Sequence, residues 1–235
     1  MKIQLIRHCE TEWNRLERCQ GISDLELNNN GINQSISLKD FYFDKHVDLI
    51  FSSDLKRTMQ TALEINKNLK SDIIQNEKLR EMDQGDFEGL SFSYIRKNFA
   101  SQLLEWRSNP KKFRIPNGET LGEVQERALA FMENLFIKYK SHKNIIIVSH
   151  NLVIASILCH YSNRDLKDFA EFTLDSGSIT TLMYSNNKIS IEEIKKSLDE
   201  YGMQLFYSTP MKEKKTLIEI YPDLSDWVME WLNKD

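Results

Sequence analysis

Three short strand-like runs in the sequence stop at residues able to handle a phosphoryl group. Ile3–Ile6 runs into Arg7-His8, Val47–Phe51 into Ser52-Ser53-Asp54-Leu55-Lys56-Arg57, and Ile145–Val148 into Ser149-His150. An arginine guanidinium is a planar fork of N–H donors that matches two oxygens of one phosphoryl group, and a neutral imidazole is a nucleophile toward phosphorus. If these runs are neighbouring parallel strands, the residues just beyond their carboxyl ends share the crevice where open α/β sheets bind ligands. Two histidines and two arginines there suit phosphoryl chemistry in which protein cations carry the charge. No set of Asp, His or Cys has metal-ligand spacing, so the sequence predicts neither a metal nor another cofactor.

The elements that must position these residues follow a recurring grammar. Ile145–Val148 is wholly β-branched, as buried parallel strands tend to be, and a helical run Leu152–His160 follows it. Ser52-Ser53-Asp54 reads as a helix N-cap cluster, after which Leu55, Met59, Ala62, Leu63 and Leu69 recur at helical spacing. The longest predicted helix spans Glu119–Lys140, with Leu121, Val124, Ala128, Phe131, Met132, Leu135 and Tyr139 on one face and charges opposite. Ile179–Tyr184 and Ile189–Ile194 flank Ser185-Asn186-Asn187-Lys188 and predict a hairpin. Strands alternating with helices, then a hairpin, predict a three-layer α/β/α sandwich around a mostly parallel sheet.

From about 77 to 118 the pattern weakens and Gly85, Gly89, Pro110, Pro116 and Gly118 punctuate it, which reads as an excursion over the sheet. The 235 residues predict one domain, 1–235, with a C-terminal extension over about 195–235. In that tail Lys212–Lys215 reads as a solvated charge run, and Leu224, Trp227, Val228, Trp231 and Leu232 as an amphipathic stripe packing on its own domain.

Composition narrows the partners. The longest apolar run, Ala128–Met132, falls far short of the roughly 20 residues that span a bilayer, so no membrane partner is expected. The opening Met1-Lys2-Ile3-Gln4-Leu5-Ile6-Arg7-His8 meets charge before a signal-peptide core could form. Three cysteines, Cys9, Cys19 and Cys159, without paired spacing suit a reduced, cytoplasmic protein. A net charge of −4 with dispersed basic residues argues against a nucleic-acid partner, so a bound anion must be held locally. The expected partner is a small phosphorylated metabolite; no stripe marks a subunit interface, and no oligomeric state is assigned.

The residues above also fall into a known order. Leu5-Ile6-Arg7-His8-Cys9-Glu10-Thr11-Glu12-Trp13-Asn14 is followed by Gln20-Gly21-x-x-Asp24-x-x-Leu27 with Gly31, and then by Ser52-Ser53-Asp54-Leu55-Lys56-Arg57-Thr58. Leu79-Arg80-Glu81-Met82-Asp83-Gln84-Gly85-Asp86-Phe87-Glu88-Gly89, Asn117-Gly118-Glu119-Thr120 and Val148-Ser149-His150 complete the set. Over about Met1–Ile194 this resembles the histidine phosphatase, or phosphoglycerate-mutase-like, superfamily. The resemblance implies that His8 attacks phosphorus and becomes a phosphohistidine, that Arg7, Arg57 and His150 surround the phosphoryl oxygens, and that Glu81 is the proton donor. In that scheme His8 must be neutral, His150 is most useful as a cation, and Glu81 needs a raised pKa. The expected substrate-binding residues are Asn14, Gln20, Gly21, Asn151 and Arg107.

Where the family pattern has glycine after each catalytic histidine, this sequence has Cys9 and Asn151. If those positions need positive φ, the substitutions constrain them. The segment Arg80–Gly85 stands where cofactor-dependent mutases carry a longer insertion with an Arg-His-Tyr-Gly run, so the sequence is similar to the phosphatase branch. Glu105-Trp106-Arg107-Ser108 points back toward mutases, although Trp106 reads as an anchor of the excursion and Arg107 as a rim charge. Two alternatives to a phosphatase remain at this level: mutase activity on the same scaffold, and a catalytically degenerate domain that binds a phosphorylated ligand. His8-Cys9 with Arg15 also spells the His-Cys-x5-Arg signature of cysteine phosphatases, a cradle that Glu10, Glu12 and Trp13 would crowd.

Overall fold

The computed structural model describes residues 1–172 and 174–195, all within the unit Met1–Lys196. The C-terminal extension read from sequence, with its lysine run and Leu224–Leu232 stripe, lies outside the described residues. Six strands form one sheet: β1 (Lys2–Arg7), β2 (Leu49–Ser52), β3 (Asp72–Gln75), β4 (Asn144–Ser149), β5 (Ile179–Ser185) and β6 (Lys188–Lys195). Their order is β3-β2-β4-β1-β5-β6, with the first four mutually parallel and β5 and β6 antiparallel. This is the mostly parallel sheet and terminal hairpin that the sequence predicts.

Around the sheet lie α1 (Glu12–Arg15), α2 (Asn29–Phe41), α3 (Lys56–Leu69), α4 (Phe92–Asn98), α5 (Ala100–Ser108), α6 (Leu121–Lys138) and α7 (Asn151–Tyr161). Side chains alternate across a strand, so each strand feeds both faces. Ile3, Leu5, Leu49, Phe51, Ile145 and Ile147 pack with Val124, Ala128, Phe131 and Met132 of α6 and Val153, Ile154 and Ile157 of α7. The alternate residues Ile6, Ile50, Ile146 and Val148 are buried toward the opposite face, where α2 packs on α3 through buried Leu38, Ala62 and Ile65. These are the three layers.

Register aligns the chemistry. Arg7 pairs with Ser149 across β1 and β4, and Ser52 with Val148 across β2 and β4, so three carboxyl ends finish level. The His8 N–H donates to Ser149 O at 2.9 Å and the Ser53 N–H to Val148 O at 3.0 Å, extending the ladder one step past each strand.

Local differences from the sequence reading have identifiable causes. α6 begins later than Glu119 because Thr120 closes a capping box: its hydroxyl accepts the Glu123 N–H at 3.1 Å, while the Glu123 carboxylate accepts the Thr120 N–H at 2.9 Å. α3 starts at Lys56 with Leu55 at its cap, not on the Ser52–Asp54 cluster. Those polar side chains are used elsewhere: Ser52 Oγ donates to Ser53 O and Asp54 pairs with Arg80. Leu63, one of the residues at helical spacing, is 53% exposed; α3 buries Arg57, Thr58, Thr61, Ala62 and Ile65. In the excursion, Trp106 packs its ring 5.0 Å from Phe169, between α5 and the 3-10 segment Leu166–Phe172.

Candidate active site

His8 follows β1 and is 3% exposed. Its Nδ1 lies 2.7 Å from its neighbour's carbonyl, Cys9 O. A carbonyl only accepts, so Nδ1 carries the ring proton and Nε2 keeps its lone pair. Burial first, then the charges of Arg57 and Arg7, hold His8 well below the ordinary imidazole range. The ring is therefore neutral near pH 7, the form that attacks phosphorus.

His150 is the cap residue of α7 and is fully buried. Its ring centroid is 5.2 Å from that of His8, with the planes tilted at 59°. Neither of its ring nitrogens has a hydrogen-bond partner in the protein. Burial, then Arg57 and His8, push its pKa well down, so the cationic His150 expected from sequence is neutral here. Burial is the largest cause: a second positive charge beside buried Arg57 loses its hydration as well as meeting a like charge.

Arg57, in the first turn of α3, is fully buried. Its Nη1 donates to Ser23 O at 2.8 Å and its Nη2 to Gly21 O at 2.7 Å, while its buried Nε has no partner. Burial lowers its pKa to about 10, against the pull of Glu81, Asp24 and Glu88, so it stays charged. Arg7 repeats the pattern: Nη1 donates to Leu174 O and the buried Nε is unpartnered. Burial lowers its pKa, opposed by Glu81 and Asp175. Two guanidinium N–H groups and an imidazole, all buried and unpaired, are donors waiting for an anion.

Glu81 is 9% exposed, just past the 3-10 turn Glu77–Leu79. Its carboxylate accepts the Met82 N–H at 2.9 Å and, at 3.4 Å, the Leu152 N–H in the first turn of α7. Burial nevertheless raises its pKa above the usual range, with those N–H groups, Arg57 and Arg7 opposing. A carboxyl so poised can hold a proton and give it up.

The scaffold under Glu81 involves residues that sequence reasoning gave no role. Arg127 Nη2 donates to Glu81 O at 3.0 Å and Nη1 to Lys78 O at 2.7 Å, while Glu119 pairs with Arg127 and accepts the Asp83 N–H at 2.9 Å. In the sequence Arg127 falls among the charges of the predicted Glu119–Lys140 helix and Glu119 within the Asn117–Thr120 motif, and neither position marks this clamp. Thr61 is a second such tie: its hydroxyl donates to Arg57 O at 2.8 Å and accepts the Cys9 N–H at 3.1 Å.

The expected substrate-binding residues divide. Asn14 spends its Oδ1 capping α1, accepting the Thr11 N–H at 3.1 Å, and Gln20 Oε1 lies 2.8 Å from the Thr11 hydroxyl. Gly21 holds Arg57 through its carbonyl. Asn151 Oδ1 accepts the Leu174 N–H at 3.0 Å, bracing the segment that binds Arg7. Arg107 sits exposed in the last turn of α5.

Cys9 and Asn151 both have negative φ, so neither position needs a glycine's backbone freedom. Burial pushes the Cys9 thiol up to about 12, with the Thr61 contact opposing, and Arg15 is exposed and bonded to Glu12. A protonated, buried thiol without its arginine is no nucleophile, which removes the cysteine-phosphatase reading.

The carboxyl edge of this mostly parallel sheet thus brings together two buried histidines, two arginines and a buried carboxyl, a set suited to phosphoryl chemistry. Comparison with known sequences bears on this chemistry directly: residues 3–197 match the histidine phosphatase superfamily (branch 1), and the chain belongs to that family. It is a phosphatase-type enzyme. Similar proteins include phosphoserine phosphatase 1 of Hydrogenobacter thermophilus, 32% identical over 184 residues, covering 77% of this chain and 86% of the relative. A 2,3-bisphosphoglycerate-dependent phosphoglycerate mutase of Cytophaga hutchinsonii is 29% identical, covering 74% of this chain and 83% of the relative. Among solved structures, a mutant phosphoserine phosphatase of Entamoeba histolytica in complex with phosphoserine matches with TM-score 0.73 and 25% identity, over 83% of this chain and 96% of that one.

Proposed function

We propose that this chain hydrolyses small phosphate monoesters, with His8 as the nucleophile and Glu81 as the proton carrier. The observation that carries this reading is the His8 Nδ1 to Cys9 O contact, which leaves Nε2 unprotonated amid unpaired cationic donors. In the first step the Nε2 lone pair forms a bond to phosphorus as the ester P–O bond breaks, and the leaving alkoxide takes the Glu81 proton. In the second, ionised Glu81 takes a proton from water, the water oxygen bonds to phosphorus, and the P–N bond breaks to release phosphate and His8. Arg7 and Arg57 supply positive charge and N–H donors to the equatorial oxygens, where charge is carried. The charge of a phosphoryl dianion opposes the burial and the Arg57 repulsion that lower the His150 pKa, and His150, free of protein partners, donates to it.

The relatives support phosphoserine as the first substrate to assay. A panel of phosphorylated metabolites, followed for phosphate release and for isomerisation, tests the reading; isomerisation without release would favour the mutase. We place the enzyme in the cytoplasm, which suits its three free, buried cysteines. No helix among the described residues is long and apolar enough to cross a membrane.

Arg57→Ala is expected to lower kcat by roughly 100-fold or more, the scale of losing one preorganised transition-state donor. Arg57→Lys should rescue it only partly, because a point charge cannot reach Gly21 O, Ser23 O and the phosphoryl oxygens together. Unchanged kinetics in Arg57→Ala would show that the pocket is misassigned.

Because protein cations supply the charge stabilisation, activity should survive EDTA. Restoration of a chelated, inactive sample by Mg²⁺ or Zn²⁺ would contradict this. Orthovanadate should inhibit competitively, since its five-coordinate form resembles the transferring phosphoryl group.

A further inference from the structure

The loop Gly21–Ser23 supplies both carbonyls that hold Arg57, and a single carboxylate holds that loop. Glu88 Oε1 accepts the Ile22 N–H at 2.8 Å and the Gln84 N–H at 3.2 Å, and its Oε2 accepts the Ser23 N–H at 2.9 Å and the Ser23 hydroxyl. The Ile22 N–H and the Gly21 carbonyl belong to one peptide plane. Glu88 therefore grips one end of the peptide whose other end accepts Arg57 Nη2 at 2.7 Å. Fixing the N–H end fixes the direction of the C=O, and a carboxylate on the N–H polarises the peptide and strengthens the carbonyl as an acceptor.

The fit leaves no slack. Gly21 has φ +54°, and a Cβ there would come within 1.8 Å of Glu88 Oε1, so the carboxylate fills the space that only glycine leaves. The same two segments are zipped by backbone bonds, Gly89 N–H to Cys19 O at 2.8 Å and Cys19 N–H to Leu90 O at 2.9 Å. Glu88 also follows Glu81 on the same excursion, seven residues on.

We propose that Glu88 is a positioning residue: it sets the orientation of Arg57 through the Gly21–Ile22 peptide and so ties the arginine clamp to the segment that carries Glu81. This rests on the phosphatase reading above, in which Arg57 meets the phosphoryl oxygens. Glu88 itself touches no reacting atom.

A double-mutant cycle tests it, using kcat and vanadate inhibition on the full chain. Glu88→Gln keeps one acceptor oxygen but loses the second and the charge. It should lower kcat and weaken vanadate by roughly 10-fold, as expected for a slightly misplaced catalytic group. In an Arg57→Ala background the same change should alter kcat by less than about 2-fold, because the group it orients is gone. A purely structural Glu88 would lower the melting temperature and cost the same factor in both backgrounds, which overturns the proposal; so would wild-type kcat in folded Glu88→Gln. If Glu88→Gln does not fold, Ser23→Ala removes one of the four contacts, and its smaller loss must likewise vanish without Arg57. Arg57→Ala with wild-type kcat would instead refute the phosphatase reading itself.

Discussion

Replacing His8 by alanine is expected to erase turnover and covalent labelling together. The loss in kcat should reach at least roughly 1,000-fold, the scale of removing a covalent nucleophile. Wild-type enzyme quenched in base during turnover should hold a phosphoenzyme stable to alkali and lost in acid, because a phosphoramidate hydrolyses once its nitrogen is protonated. Cys9→Ser should keep that label, since burial pushes the Cys9 thiol up to about 12 and leaves it protonated. Cys9→Gly should bring no gain in rate, because Cys9 already has negative φ. A label lost in Cys9→Ser and retained in His8→Ala would overturn the assignment.

The second large effect is expected at Glu81. Glu81→Gln removes the proton donor of the first step and the base of the second, and should lower steady-state kcat by about 10²- to 10⁴-fold. The two steps come apart with p-nitrophenyl phosphate, whose leaving group departs without a proton. That substrate should give a burst of one nitrophenolate per enzyme and then stall as phosphoenzyme. The pH dependence of kcat/KM follows from the two shifts. Attack needs neutral His8, so activity falls as pH drops through its lowered pKa; donation needs protonated Glu81, so activity falls as pH rises through its raised one. The profile should therefore be bell-shaped, and the alkaline limb should disappear from the Glu81→Gln burst rate. Steady-state turnover and a pH profile unchanged from wild type would remove Glu81 from the mechanism.

Much of the scaffold was legible because apolar runs and chemistry coincide: β1, β2 and β4 end within a residue or two of where their sequence runs stop, and each is followed by a polar group with a task. What escaped detection lacked that contrast. α2 buries only Gly31, Ser35 and Leu38, too sparse for a helical stripe, and β3 is an edge strand whose four residues are none of them buried. Leu63 recurs at helical spacing yet lies exposed, because in α3 the inward face is the one that presents Arg57 and Thr61. The clamp of Arg127 and Glu119 on the Glu81 segment joins residues far apart in the chain, and a half-buried arginine among surface charges carries no sequence mark. The feared loss of glycine at Cys9 and Asn151 proved to be a question about φ, which only the backbone can answer.

Under the proposed function, the tautomer of His8 also determines which of two chemical isomers the enzyme makes. With Nδ1 bonded to the Cys9 carbonyl, only the τ nitrogen can bond to phosphorus, so the covalent species is τ-phosphohistidine and never its less stable π isomer. The two differ in ³¹P shift and in their coupling to ring ¹⁵N. A spectrum of ring-labelled enzyme trapped during turnover therefore reads out, in one resonance, a hydrogen bond made to the backbone of the next residue.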